Sequence, residues 1–168
     1  MTNDINSVAL RQVLEAIVNK PCWGVIAGPG TGSHISLDFG GKQPRERPLK
    51  NPHLTDDQQR FEGEYVLYVT CTWRLQLRDR VICSSTSSNA KDGPLQKGLG
   101  RLVDDIVNQV SVGPPAFDVE IRFQSGLVLL VFCDISNDED EDNYSIFCPQ
   151  GILTVSGGSE QIMHEARP

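Results

Sequence analysis

The residues of this chain that could do chemistry fall into a few short stretches. Ala27-Gly28-Pro29-Gly30-Thr31-Gly32-Ser33 has the glycine content of a phosphate-cradling loop. Such a loop needs a Lys after its last Gly, and a helix whose first N–H groups face the phosphate. Here Ser33 and His34 follow, and then a strand-like segment. The stretch reads as a glycine-rich turn between strands. No nucleotide or other cofactor is expected from it.

Ser136-Asn137-Asp138-Glu139-Asp140-Glu141-Asp142-Asn143 is the densest run of charge. Asp134, Ser136, Asp138 and Asp140 alternate as the oxygen ligands of a calcium loop do. The sixth position of such a loop should be Gly and is Glu139; the twelfth should be Glu and is Ser145. An EF-hand is excluded, adventitious divalent binding is a minor reading, and no metal site is assigned. A solvated acidic loop and a docking surface for a basic partner are the main readings. On the second, Asp138, Glu139, Asp140, Glu141 and Asp142 are the candidate partner-binding residues.

Catalytic groups are thin. His34, His53 and His164 lie far apart, and none has ligand spacing with a Cys or a carboxylate. Ser84-Ser85-Thr86-Ser87-Ser88 reads as a flexible link, since no G-x-S-x-G surrounds it. Cys22, between Pro21 and Trp23, could be a reactive thiol near a helix end, but no His is close in sequence. The five cysteines, 22, 71, 83, 133 and 148, are odd in number and hold no C-x-x-C pair. They read as reduced, buried thiols of a cytoplasmic protein. No catalytic residues are assigned and no enzyme is expected, although a set assembled only in three dimensions escapes such a scan.

Charge narrows the partners. A net charge of −7 argues against nucleic acid, which needs clustered positive charge. It suits a protein that meets a basic partner. The basic stretch Lys42, Arg45, Arg47 and Lys50 is followed by Asp56, Asp57, Glu62 and Glu64, and reads as a mobile polar loop. No apolar run approaches the roughly 20 residues that span a bilayer. Met1-Thr2-Asn3-Asp4 lacks the basic start and apolar core of a signal peptide. The expectation is a cytoplasmic protein without a membrane segment.

The elements that must position these residues recur. An amphipathic stretch from Ser7 to Asn19 places Leu10, Val13, Leu14, Ile17 and Val18 on one helical face, with Asn6 or Ser7 as cap and Pro21 as stop. A second, from Leu95 to Val110, places Leu99, Leu102, Val103, Ile106, Val107 and Val110 on the same spacing before Gly113-Pro114-Pro115. Each precedes an alternating strand ending in Phe, His34 to Phe39 and Ala116 to Phe123. An apolar run closing on Cys follows, Tyr65 to Cys71 and Leu127 to Cys133. Last come the aromatic-led hairpins, Trp73 to Ser84 and Asn143 to Val155. Trp23 to Ala27 adds a further strand to the first copy.

The predicted fold class is α+β, an internally duplicated α-β-β-β-β unit. Its sheet is mainly antiparallel, covered by two helices and arranged with pseudo-twofold symmetry. The chain reads as a single domain over 1–168, with repeats at about 7–88 and 95–157 and a flexible tail at 158–168. The spacing of the copies places an insertion at Gly41 to Gly63 in the first and another between Asp134 and Asn143 in the second. Long connections in compact domains are often functional.

Gly30-Thr31-Gly32-Ser33-His34-Ile35-Ser36-Leu37-Asp38-Phe39-Gly40, Glu64 to Val69, and Trp73-Arg74-Leu75 resemble a group of small uncharacterised bacterial proteins. So does Asp118 to Phe132, followed by its acidic loop and Tyr144-Ser145-Ile146-Phe147, where that group often has Trp in place of Tyr144. The likeness spans Leu10 to Gly157 and is structural rather than catalytic, so it transfers no active-site residue. The group is similar to immunity-type proteins that accompany bacterial polymorphic toxins. It implies a non-enzymatic protein-binding module that occludes a toxin. The alternative is a small-molecule-binding or enzymatic domain with its site between the repeats. A homodimer through an exposed strand edge is a third option.

Overall fold

The computed structural model describes residues 2–136, 140–157 and 162–166, with side chains from Asn6 onward. Helix α1 (Thr2–Glu15) opens the chain. Leu10 and Leu14 are fully buried one turn apart, and Ile17 joins them from the turn beyond. The helix starts before Asn6 and Ser7, the expected caps. Asn6 lies inside it and donates its side-chain N–H to the Ile162 carbonyl at 2.8 Å. A polar side chain within a helix is tolerated when it finds such a partner. Asn19 ends the following turn in the left-handed region, at φ 66°.

The rest is antiparallel sheet. Strands β1 (Pro21–Ile26) and β2 (Ile35–Pro44) lead to a one-turn helix α2 (Asp56–Arg60). Strands β3 (Phe61–Val69), β4 (Thr72–Leu77) and β5 (Arg80–Ser84) follow. A short helix α3 (Pro94–Leu99) and a 3-10 turn then lead into β6 (Asp105–Gly113), β7 (Asp118–Phe123) and β8 (Leu127–Phe132). Strands β9 (Asp142–Cys148), β10 (Gly151–Ser156) and β11 (Ile162–Glu165) complete an 11-stranded sheet ordered β11-β10-β9-β3-β2-β1-β6-β7-β8-β4-β5.

The expected second helix is corrected. Only Pro94–Leu99 is α-helical, and the end of the predicted span from Asp105 onward belongs to strand β6, Asp105–Gly113. Asp104 at φ 65° breaks the helical path. Val103, placed by the helical spacing on the apolar face, is 44% exposed. The β-branched residues Ile106, Val107, Val110 and Val112 satisfy a strand as readily as a helix, and pairing with β1 and β7 settles which. Among the described residues five strands follow α1 and six follow α3, not four each, and α3 gives less cover than the sequence suggests. Ile162–Glu165, within the expected tail, is an edge strand on β10.

The sheet consists of two halves meeting at a narrow seam, where β1 pairs with β6 through Pro21↔Ile106 and Cys22↔Asp105. β1-β2-β3 is a meander on one side and β6-β7-β8 a meander on the other. The hairpins that follow them cross over. β4–β5 leaves β3 to pair with β8, and β9–β10 leaves β8 to pair with β3. Trp73 of β4 is fully buried and donates its indole N–H to the Ser33 carbonyl, at 2.7 Å. Tyr144 of β9, also fully buried, donates its hydroxyl to the Phe117 carbonyl at 2.9 Å. Each large side chain reaches the turn between the first two strands of the opposite half. Its buried polar atom is satisfied there, where leaving it unpaired would cost about 1–3 kcal/mol. Inward-facing residues of both halves merge with Leu10, Leu14 and Ile17 in one core.

Candidate interaction surface

The crossovers gather acidic groups from distant sequence. The Asp134 carboxylate accepts the Thr72 N–H at 3.1 Å and also holds the Thr72 hydroxyl. Thr70 bonds the Asp142 and Asn143 carbonyls, and the Cys71 N–H donates to the same Asn143 carbonyl at 3.1 Å. Asp118 accepts the Cys133 N–H at 2.8 Å. Asn143 is buried and clamps the loop from within. Its Oδ1 accepts the Ile135 N–H at 2.9 Å, and its Nδ2 donates back to the Ile135 carbonyl at 3.4 Å.

Of the five candidate residues, Asp138 and Glu139 lie outside the described residues. Asp140, Glu141 and Asp142 are exposed. Burial, and then the negative charge of Glu165, raise the Asp142 carboxyl above its ordinary value. Sequence spacing finds Asp140 to Asp142 but misses Asp118, which reaches this end by accepting the Cys133 N–H; Glu165 lies opposite Ile152, at the far end of β10 from Ser156 and Asp142. Among the described residues no group of three or more His, Cys, Asp or Glu could hold a metal ion.

The glycine-rich segment is the turn between β1 and β2. Gly28, Gly30 and Gly32 all take positive φ, and the Thr31 hydroxyl closes the turn on the Gly28 carbonyl at 2.9 Å. Strand β2 follows it, and Gln96 of α3 packs beside Gly28 and donates its side-chain amide to the Ala27 carbonyl at 3.1 Å. Beside the turn, a shallow cleft of about 230 Å³ is lined by His34, Ser36 and Tyr68, among others. His34 Nδ1 and the Tyr68 hydroxyl are hydrogen-bonded at 3.1 Å. A neighbouring cleft of about 320 Å³ shares Ser36 and Tyr68 and adds Arg45, Glu62 and Phe147.

The inserted segment after β2 folds back as a strap over the outer face of β1 and β2. Gln58 ties it down. Its Nε2 donates to the Val25 carbonyl at 2.8 Å, while its Oε1 caps α2 through the Thr55 N–H at 3.0 Å. Lys42 pairs with Asp57 at 2.6 Å and sits 4.9 Å above the Trp23 ring. Arg45 pairs with Glu62 at 3.2 Å.

Under this strap Asp38 is only 1% exposed. Its Oδ1 accepts the Gly63 N–H at 2.7 Å, while Oδ2 has no hydrogen-bond partner among the described residues. Burial pushes the Asp38 carboxyl up to about 6, against the pull of the Gly63 N–H and Arg45. Cys22 is fully buried, and its thiol is pushed up by burial and then by Asp38, Asp105 and Asp104. It is a core thiol held protonated, not an activated nucleophile.

Comparison with family models, curated proteins and solved structures finds no match. Among the described residues no helix is long and apolar enough to cross a membrane.

Proposed function

We propose that this chain is a non-enzymatic protein-binding module. It is built by internal duplication and occludes a basic partner in the manner of an immunity protein, with its acidic crossover end as the contact. The observation that carries the reading is the gathering of Asp118, Asp134 and Asp142 at the crossovers, with Asp140 and Glu141 exposed on the same loop as Asp142. These carboxylates, on the loop clamped by Asn143 and at the start of β7, steer a cationic surface into register before contact. The junction between the halves is filled by Trp73, Tyr144, Phe39 and the α1 leucines, which favours recognition by surface over a ligand in that junction.

Backbone geometry about the seam supports the duplication. Asn19 and Asp104 share a left-handed φ of 66° and 65°. The Asn19 N–H donates to the Val107 carbonyl at 2.8 Å, and the Asp104 N–H to the Cys22 carbonyl at 2.7 Å. The two bonds exchange when Asn19 is matched with Asp104 and Cys22 with Val107. The hydrogen bonds of Trp73 and Tyr144 match in the same sense.

The test neutralises the surface. A tagged protein should capture a basic protein from lysate of its own host at low salt and lose it at high salt. Replacing Asp138, Glu139, Asp140, Glu141 and Asp142 by Asn or Gln should slow association at least tenfold and flatten its salt dependence. A fully folded variant that associates at the original rate would refute the acidic contact. The small-molecule alternative rests on the His34–Tyr68 cleft, and ligands that raise the melting temperature only when His34 and Tyr68 are intact would favour it.

A further inference from the structure

We propose that Cys71 and Cys133 form a reversible disulfide that staples the two crossovers, making this thiol pair a redox modification site. The pairing of β4 with β8 runs to Thr72↔Phe132, and one further step in the antiparallel register sets Cys71 opposite Cys133. Neither residue spends its N–H on the other. Cys71 donates to the Asn143 carbonyl at 3.1 Å and Cys133 to Asp118 at 2.8 Å. Cross-strand residues that exchange no ladder hydrogen bonds have Cα atoms roughly 4.5 Å apart. A disulfide spans Cα separations of about 4.4 to 6.8 Å. The two thiols lie close enough that Cys71, ahead of burial, raises the Cys133 thiol above its ordinary value.

Access singles out the same pair. All five cysteines are free thiols, and only Cys133 is less than buried. Cys22 and Cys148 turn their sulfurs to the Gly24 and Gly151 carbonyls. Cys83 packs tightly against Gly98 of α3.

The oxidant is a small-molecule disulfide such as oxidised glutathione. The Cys133 thiolate attacks one of its sulfurs, forming a mixed disulfide and releasing the first small thiol. The Cys71 thiolate then attacks the Cys133 sulfur, forming the internal bond and releasing the second. Two protein thiols are oxidised, one small disulfide is reduced, and the two thiol protons leave on the released thiols. Contact with Cys71, burial, and nearby Asp118 hold the Cys133 thiol protonated, so exchange is slow at neutral pH and quickens as pH rises. Once made, the bond ties the β3–β4 connection to the end of β8, beside the Asn143 clamp of the acidic loop.

The experiment incubates the native, fully reduced protein with excess oxidised glutathione at about pH 8.5 and quenches it by alkylation. The expected product is lighter by two hydrogens and yields a Cys71–Cys133 cross-linked peptide. It melts at a higher temperature than the reduced protein and returns to it with dithiothreitol. Cys22→Ser should form the same product, and Cys133→Ser should not. The peptide map of the unsubstituted protein decides the matter even if a variant fails to fold. A stable glutathione adduct on Cys133 without the internal bond, a bond between any other pair, or complete resistance to oxidation would each overturn the proposal.

Discussion

Asp38 and Arg122 lie on the middle strands of the two meanders, β2 and β7. Each interrupts an alternating apolar strand, Asp38 between Leu37 and Phe39 in β2, and Arg122 between Ile121 and Phe123 in β7. In both strands the flanking residues are buried, as a period of two requires. The charged residues fare differently. Arg122 stays in water and pairs with Glu120 at 2.5 Å, with side chains 52% and 31% exposed. Asp38 is sealed beneath the strap, with one oxygen unpartnered. Alternation determines which face a residue occupies; whether that face is wet depends on what the chain inserts elsewhere. A solvated pair of this kind contributes little, while a buried carboxyl opposes folding whenever it is ionised.

The comparison breaks most severely at Gly63, whose N–H must approach Asp38. A Cβ there would lie 2.7 Å from the Phe39 nitrogen, among backbone atoms that cannot yield. Gly63→Ala should cost about 3 kcal/mol in urea unfolding, or prevent folding, since relief requires β3 and β2 to separate.

Asp38→Asn should act in the opposite direction. The Asp38 carboxyl lies at about 6 when folded, against an ordinary value of 3.8. Between those values the native state holds a proton that the unfolded chain has released, so stability falls as pH rises through the window and stays low above it. A shift of that size corresponds to about 3 kcal/mol at most. Asn keeps an acceptor for the Gly63 N–H and removes the charge. The variant should gain about 2 kcal/mol at pH 7.5 relative to the parent and lose the decline between pH 4 and 6, as read from urea midpoints.

The smallest effect belongs to the other half. Arg122→Ala should change stability by less than about 1 kcal/mol, with no step near pH 6.

Much of the sheet is legible from sequence, because strands with one buried face write their period into the chain. Arg80–Ser84 and Leu127–Phe132 fall where alternation and turn chemistry place them. β6 is misread because Leu99, Leu102, Val103, Ile106, Val107 and Val110 fit a helical period as well. The deciding contacts, with β1 and β7, come from remote residues. At the crossover end the acidic run is visible in sequence, whereas Asp118 joins it only through the pairing of β7 with β8. Asp38 falls on the strand that alternation marks, but the groups around it, the Gly63 N–H and Gly24, come from β3 and β1, contacts no local pattern encodes.

The most direct test of this account is a titration of the Asp38 side-chain carboxyl by carbon-13 NMR, with Asp38→Asn to assign its signal. A midpoint near pH 6 is expected, well above the ordinary carboxyl value of 3.8. A midpoint near 4 would mean that water reaches Asp38 freely and that the strap does not seal this half of the sheet.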